Sequence, residues 1–191
     1  MHNGEIKRFL LHAKRAQGIA RRYFVTNGFD GALTMLGLMV GFLSSDNVAL
    51  PIAIKACLGA SIALCMSGLS SAYLSETAER KHELQELEKA LISDLSDSDF
   101  GKASKYVPIL VALVNGLSPL IIALLIISPL WLANTGIQFP VSPFIMAIIL
   151  ALFIIFLLGV MLGRLSKEFW LWTGLRTLAI GGLTVFIISI I

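Results

Sequence analysis

The sequence predicts an all-α integral membrane protein with five transmembrane helices and an acidic cytoplasmic helix between the second and third. Hydrophobic residues make up 57% of the chain and charged ones 14%, with mean hydropathy +0.84, far too apolar for an ordinary soluble domain. The apolar residues gather into five runs, each of roughly 20 or more residues, the length at which a tilted helix crosses a hydrocarbon core of about 30 Å. None of the runs shows the repeated alternation of a barrel strand.

Residues 1–22 open the chain as a basic amphipathic helix, within "EIKRFLLHAKRAQGIARRYF", rather than a short apolar core with a small-residue cleavage site. The first span is therefore the expected targeting signal. Residues 23–75 hold the first two spans. From Tyr23 to Leu43 the only charge is Asp30, and the second run, 50–74, carries Lys55 near its start, where the ammonium can snorkel to the interface. Cys57 and Cys65 lie eight residues apart on that second helix, too far to join, and read as buried thiols. Residues 76–104 read as a cytoplasmic acidic helix followed by the linker "SDLSDSD". Residues 105–191 supply three further spans, over 107–132, 141–163 and 170–191, with Arg176 the only charge in the last.

The basic residues set the expected orientation. Lys7, Arg8, Lys14, Arg15, Arg21 and Arg22 precede the first span; Arg80, Lys81, Lys89, Lys102 and Lys105 follow the second; Arg164 and Lys167 follow the fourth. The connections "SSDNVA" and "ANTGIQFP" have none. This asymmetry puts the N-terminus and both basic loops in the cytoplasm and the C-terminus outside; the expected membrane is the cell membrane, or a vacuole-type one in a eukaryote. The net charge of +3 suits anionic lipid beside the N-terminal arm and calls for no nucleic acid.

An ionisable group inside a span costs about 2.5–3.5 kcal/mol near the centre on insertion scales, so Asp30 asks for a partner or a function. Asp30, Thr34, Gly37 and Gly41 follow i, i+4, i+7, i+11 spacing and share a narrow stripe of one helix. Gly37 and Gly41 form a GxxxG, which suits close helix approach and makes this the face expected against protein. Met35 and Met39 point elsewhere, to lipid or core. The alternatives for Asp30 are a cap on a helix starting at Gly31 and an ion pair with Arg176. On the second span, Gly59, Ala63, Met66, Ser67 and Ser70 share a face on which Met66 is the single thioether, a gap filler or a soft metal ligand.

Beyond that span, Glu76, Glu79, Glu83 and Glu86 form an acidic stripe, and Leu84, Leu87 and Leu91 mark a separate apolar face. His82 lies three residues after Glu79 and four before Glu86, within reach of mixed oxygen and nitrogen ligation. A solvated helix face is the plain alternative, although like charges at these spacings repel unless something positive lies between them. With histidine only at His2, His12 and His82, and no HExxH or Gly-rich phosphate loop, nothing points to an enzyme.

The "FDGALTMLGLMVGF" start, the "AYLSETAERKHELQELEKAL" that follows the second span, and the closing "WLWTGLRTLAIGGLT" resemble the vacuolar iron transporter family over nearly the whole chain. The resemblance implies a homodimer that exports Fe²⁺, Mn²⁺ or similar ions from the cytoplasm in exchange for protons, along a path lined by spans one and two. It maps the family's span-one aspartate onto Asp30, its span-two methionine onto Met66, and its metal-binding glutamates onto Glu76, Glu79, Glu83 and Glu86. Thr34 and Ser70 would line the path, Gly37 and Gly41 the dimer contact, and no permanently bound cofactor is implied beyond the transported ion. Two departures stand out: "KACLGAS" holds no counterpart of the family's span-two glutamate, and the metal-binding segment is shorter than usual. A function of another class is a membrane-anchored metal-sensing or protein-interaction protein, in which the spans only hold a dimer.

Overall fold

The computed structural model describes residues 3–45 and 48–190, with only the backbone described for residues 3–17 and 19. The described residues form five helices and no strand: α1 (Asn3–Ser44), α2 (Leu50–Leu91), α3 (Asp99–Asn134), α4 (Pro143–Leu165) and α5 (Trp170–Ile190). Most of the basic N-terminal face (Lys7, Arg8, Lys14 and Arg15), with His2 and His12, lies outside the described side chains.

Two boundaries differ from the sequence reading. Residues 3–22 are not a separate helix, because α1 runs unbroken from Asn3 to Ser44, 42 residues. No separate acidic helix stands between α2 and α3 either. The glutamates ride on the last turns of α2, whose 42 residues extend about 63 Å at 1.5 Å per residue, twice the depth of a bilayer core. Nothing between Leu74 and Leu91 breaks a helix: the segment has no Pro or Gly and is rich in Glu, Leu, Lys and Ala. The helix stops at Ile92, which turns left-handed at φ 49° while its N–H donates to the Glu88 carbonyl. Glu88 Oε1 then accepts the Leu95 N–H at 3.1 Å, and Ser98 caps α3 by accepting the Gly101 N–H at 3.1 Å. In this turn, hydrogen bonds from the side chain and backbone of Ser96 hold the Asp94 carboxyl below the usual carboxylate range.

Among the described residues four helices, α2 to α5, are long and apolar enough to cross a membrane. That is the build of a multi-pass membrane protein, with one span fewer by composition than the sequence predicted. The exception is α1, diluted by Asn27, Asp30 and the glycines at 28, 31, 37 and 41. It lies against α3, α4 and α5, with Val25, Ala32, Met35, Leu36 and Met39 fully buried at the heart of the core. The outer helices carry the apolar surface instead: Ile149, Phe153, Leu157 and Met161 of α4 and Leu113, Leu117, Ile121 and Leu125 of α3 stand exposed every fourth residue, the arrangement of a lipid-facing stripe.

Close backbone approach fixes the bundle. A Cβ on Gly31 would lie 2.7 Å from Pro119 Cα and 2.8 Å from its carbonyl oxygen, so α1 and α3 meet backbone to backbone. Gly116 of α3 is likewise pressed against Leu69 and the Cys65 carbonyl of α2. α3 contains Pro108, Pro119 and Pro129, all buried, and each withholds an N–H from the carbonyl four residues back. Ser128 repairs one of these by donating to the Leu125 carbonyl at 2.7 Å. The carbonyl that Pro119 leaves free belongs to Asn115 and faces Gly68, 3.1 Å from where a Cβ would stand.

Candidate functional site

Asp30 is neither a cap nor one half of an ion pair. It sits in mid-helix with its side chain on an open face, and Arg176 is engaged elsewhere, 3.9 Å from Glu168 and stacked 5.5 Å from the Trp172 ring. Both structural alternatives for the aspartate therefore fall away. Among the described residues no cation approaches it within ion-pair distance. Thr34, one turn on, donates its hydroxyl to the Asp30 carbonyl at 2.6 Å. Among the described residues Gly41 has nothing within 4 Å of a Cβ position, and Gly37 meets only Ile188 Cδ1 at 3.4 Å. The stripe read from the sequence is thus an open surface of the single chain, while Met35 and Met39 are core.

Met66 and Ser70 do not join Asp30 in one cavity. They line an apolar recess of about 360 Å³ with Leu69, Tyr73, Ile109, Ala112 and Leu113, to which α1 contributes nothing. The cause is the lean of α2, which packs chiefly along α3 and only lightly on α1. Met66 is 58% exposed, so it fills no gap in this chain.

The acidic stripe divides. Glu76 is buried at 8% exposure, accepting the Tyr23 hydroxyl at 3.2 Å and lying 3.7 Å from Arg80 Nε. Arg80 Nη1 also donates to Glu83 at 2.8 Å, so one guanidinium relieves the crowding between two of the carboxylates. Glu79 and Glu86 remain exposed, and His82 Nδ1 stands 3.9 Å from Glu86 Oε1. Among the described residues no three His, Cys, Asp or Glu side chains converge to hold a metal ion. The stripe of one chain is a negative surface rather than a closed ligand set.

Sequence reasoning missed a polar junction of α1, α2 and α3 below Asp30. Asn27 Nδ2 donates to the Tyr23 carbonyl and to Asn115 Oδ1, and Asn115 Nδ2 donates to the Gly68 carbonyl at 2.8 Å. Ser118 closes the same corner, its hydroxyl donating to the Phe24 carbonyl at 2.5 Å. The amides border a cleft of about 480 Å³ lined by Arg22, Tyr23, Thr26, Asn27, Ser71, Ala72, Ser75 and Asn115. The available signal was an asparagine inside each of two apolar runs, with proline four residues after Asn115.

Four membrane-length helices packed with α1 define a polytopic helical membrane protein. The chain is 31% identical over 170 residues to the uncharacterized protein MJ0645 of Methanocaldococcus jannaschii, covering 87% of this chain and 85% of that one, and it belongs to the same family. No family model and no solved structure matches it.

Proposed function

We propose that the chain is a homodimeric transporter that moves a divalent metal ion, Fe²⁺ or Mn²⁺, out of the cytoplasm in exchange for protons. The observation that carries this reading is Asp30: an acid in the middle of α1, exposed and without a cationic partner among the described residues, which lies at membrane depth if α1 is read as a fifth span. A structural carboxylate at that depth would be paired. An unpaired one suits a group that alternates between metal and proton.

In this reading α1 is the fifth span, its apolar deficit covered by neighbours on one side and by a second copy on the other. Gly37 and Gly41 let the second copy approach, and Thr34, Met66 and Ser70 flank the path once the α1 and α2 faces of two chains meet. The end of α2, with Glu79, His82, Glu83 and Glu86, projects into the cytoplasm and gathers hydrated cations by its field, Glu76 anchoring its base. No enzymatic step is assigned.

The test is flux. Proteoliposomes loaded with a metal-quenched dye should respond to Mn²⁺ faster with an opposing proton gradient than without one, and Asp30→Asn should abolish the response. Equal, background-level signals from wild type and mutant would refute transport. The second reading, a membrane-anchored interaction or metal-sensing protein, draws on the α2–α3 turn, where Leu87, Leu91 and Ile92 are exposed at 38%, 61% and 94%. It requires binding at that turn with no flux.

A further inference from the structure

We infer that the groove between α2 and α3 binds one anionic phospholipid, its acyl chain along the Met66 recess and its phosphate between Lys81 and Lys105. The apolar recess does not end at Tyr73. That residue also lines a second cavity of about 290 Å³, with Thr77 and Lys81 from α2 and Ser104 and Lys105 from α3. The two cavities form one groove, apolar at one end and cationic at the other. Helical period accounts for the continuity: Met66, Tyr73, Thr77 and Lys81 follow i, i+7, i+11, i+15 spacing and share one stripe of α2, while Lys105, Ile109 and Ala112 share one of α3. The close approach of Gly116 to Leu69 fixes the register of the antiparallel pair. Lys81 lies twelve residues beyond Leu69 and Lys105 eleven before Gly116, so the two ammonium groups stand at nearly one level.

The dimensions fit one leaflet. At 1.5 Å per residue Met66 and Lys81 are about 22 Å apart along α2, half of a bilayer of about 40–45 Å with its headgroups. The charges select the headgroup. Lys81 and Lys105 form no ion pair among the described residues, and no carboxylate lines either cavity. Glu76, Glu79, Glu83 and Glu86 occupy another face of α2. A zwitterionic headgroup would bring its own cation to the two lysines, whereas an anionic one brings only negative charge. Thr77 and Tyr73 place hydroxyls between the lysines and the recess, where the phosphate and ester oxygens of a lipid accept hydrogen bonds. A soluble phosphate would use the lysines and leave the apolar end unfilled. The inference does not rest on transport; it needs only that α2 and α3, both of membrane length, cross the bilayer. In a dimer that meets along α1 and α2, the acyl chain lies at the edge of that contact.

The test is native mass spectrometry of the full chain released from nanodiscs of phosphatidylglycerol and phosphatidylcholine in equal amounts. One phosphatidylglycerol per chain should be retained in preference to phosphatidylcholine. Lys81→Gln and Lys105→Gln should each weaken that preference about fivefold, the worth of one basic residue beside an anionic surface. Lys89→Gln with Lys102→Gln removes the same charge outside the groove and should leave the preference unchanged. Leu113→Trp, at a position 48% exposed, fills the apolar end without touching a lysine and should lower retention as well. All these positions are exposed, so each variant should keep the wild-type melt. A preference that survives the loss of both groove lysines overturns the inference, and so does an equal loss in the Lys89 and Lys102 pair, which would mark general surface charge. Inorganic phosphate bound as tightly by Leu113→Trp as by wild type, with lipid retention unmoved, would overturn it too and make the lysine pocket a soluble-anion site. A wild-type chain that retains the lipid but shows no Mn²⁺ flux would sink the transport reading and leave this site standing.

Discussion

The two sides of α1 are made from the same kinds of residue and are used in opposite ways. On one side Gly31 is pressed onto the backbone of Pro119, and Ala32, Met35 and Met39 are fully buried. On the other, among the described residues, Gly41 meets nothing and Asp30 stands open without a partner. Glycine on the closed side permits a helix crossing inside the chain; glycine on the open side leaves room that this chain does not fill. The comparison teaches that the stability of the fold resides on one side of α1 and the proposed function on the other, so substitutions on the two sides should separate cleanly.

The largest effect should come from Gly31→Leu. Ordinary overpacking costs about 1–3 kcal/mol, because side chains can shift. Here the obstacle is backbone of α3, at 2.7 Å from a Cβ, so the cost should reach or exceed the upper end of that range. Expression without a folded, monodisperse peak in detergent is the expected result, and a normal melt would show that α1 and α3 can part. Met35→Ala comes next, at about 2–5 kcal/mol for emptying a fully buried site, measured as a lowered melting temperature with the fold retained.

Asp30→Asn reverses the pattern. The amide keeps the shape of the carboxylate and no ion pair is broken, so the melting temperature should move by less than the equivalent of about 1 kcal/mol while Mn²⁺ flux is lost. Had Asp30 been one half of a buried pair, the loss would be about 3–5 kcal/mol. A strongly destabilised mutant would therefore reveal a hidden partner and erase the distinction between the two sides.

Much of this was legible in the sequence, and the limits are physical. The apolar runs marked the helices because a bilayer demands about 20 apolar residues from any helix that faces it. α1 falls short of that signal because Asn27, Asp30 and its glycines dilute it. The i, i+4, i+7, i+11 stripe was legible because helical period alone decides which residues share a face. What that stripe would touch was not, since contact depends on how α2 leans. Met66 was accordingly grouped with Asp30, although α2 turns it into a recess with α3. Arg80 stands four residues after Glu76 and three before Glu83, so local spacing held the answer to the crowded carboxylates. Asn27 and Asn115 are 88 residues apart, and no local pattern joins them.

The smallest effect on the fold should come from Gly41→Leu, and it sharpens the comparison most. Among the described residues nothing lies within 4 Å of a Cβ at this position, so the new side chain meets no neighbour there, and leucine has the better helix propensity by nearly 1 kcal/mol. The melt of the monomeric fraction should stay level or rise slightly. In a homodimer built on the Asp30 face, however, the same isobutyl group occupies the space a second helix would enter, and small residues at such contacts act by letting backbones approach. Cross-linking in native membrane should then fall to background, and flux with it. If dimer persists at full yield in Gly41→Leu and also in Gly37→Leu, the partner sits on another face. Asp30 would then open onto lipid, and an unpaired carboxylate facing hydrocarbon would have to be carried protonated, unable to hold a metal ion.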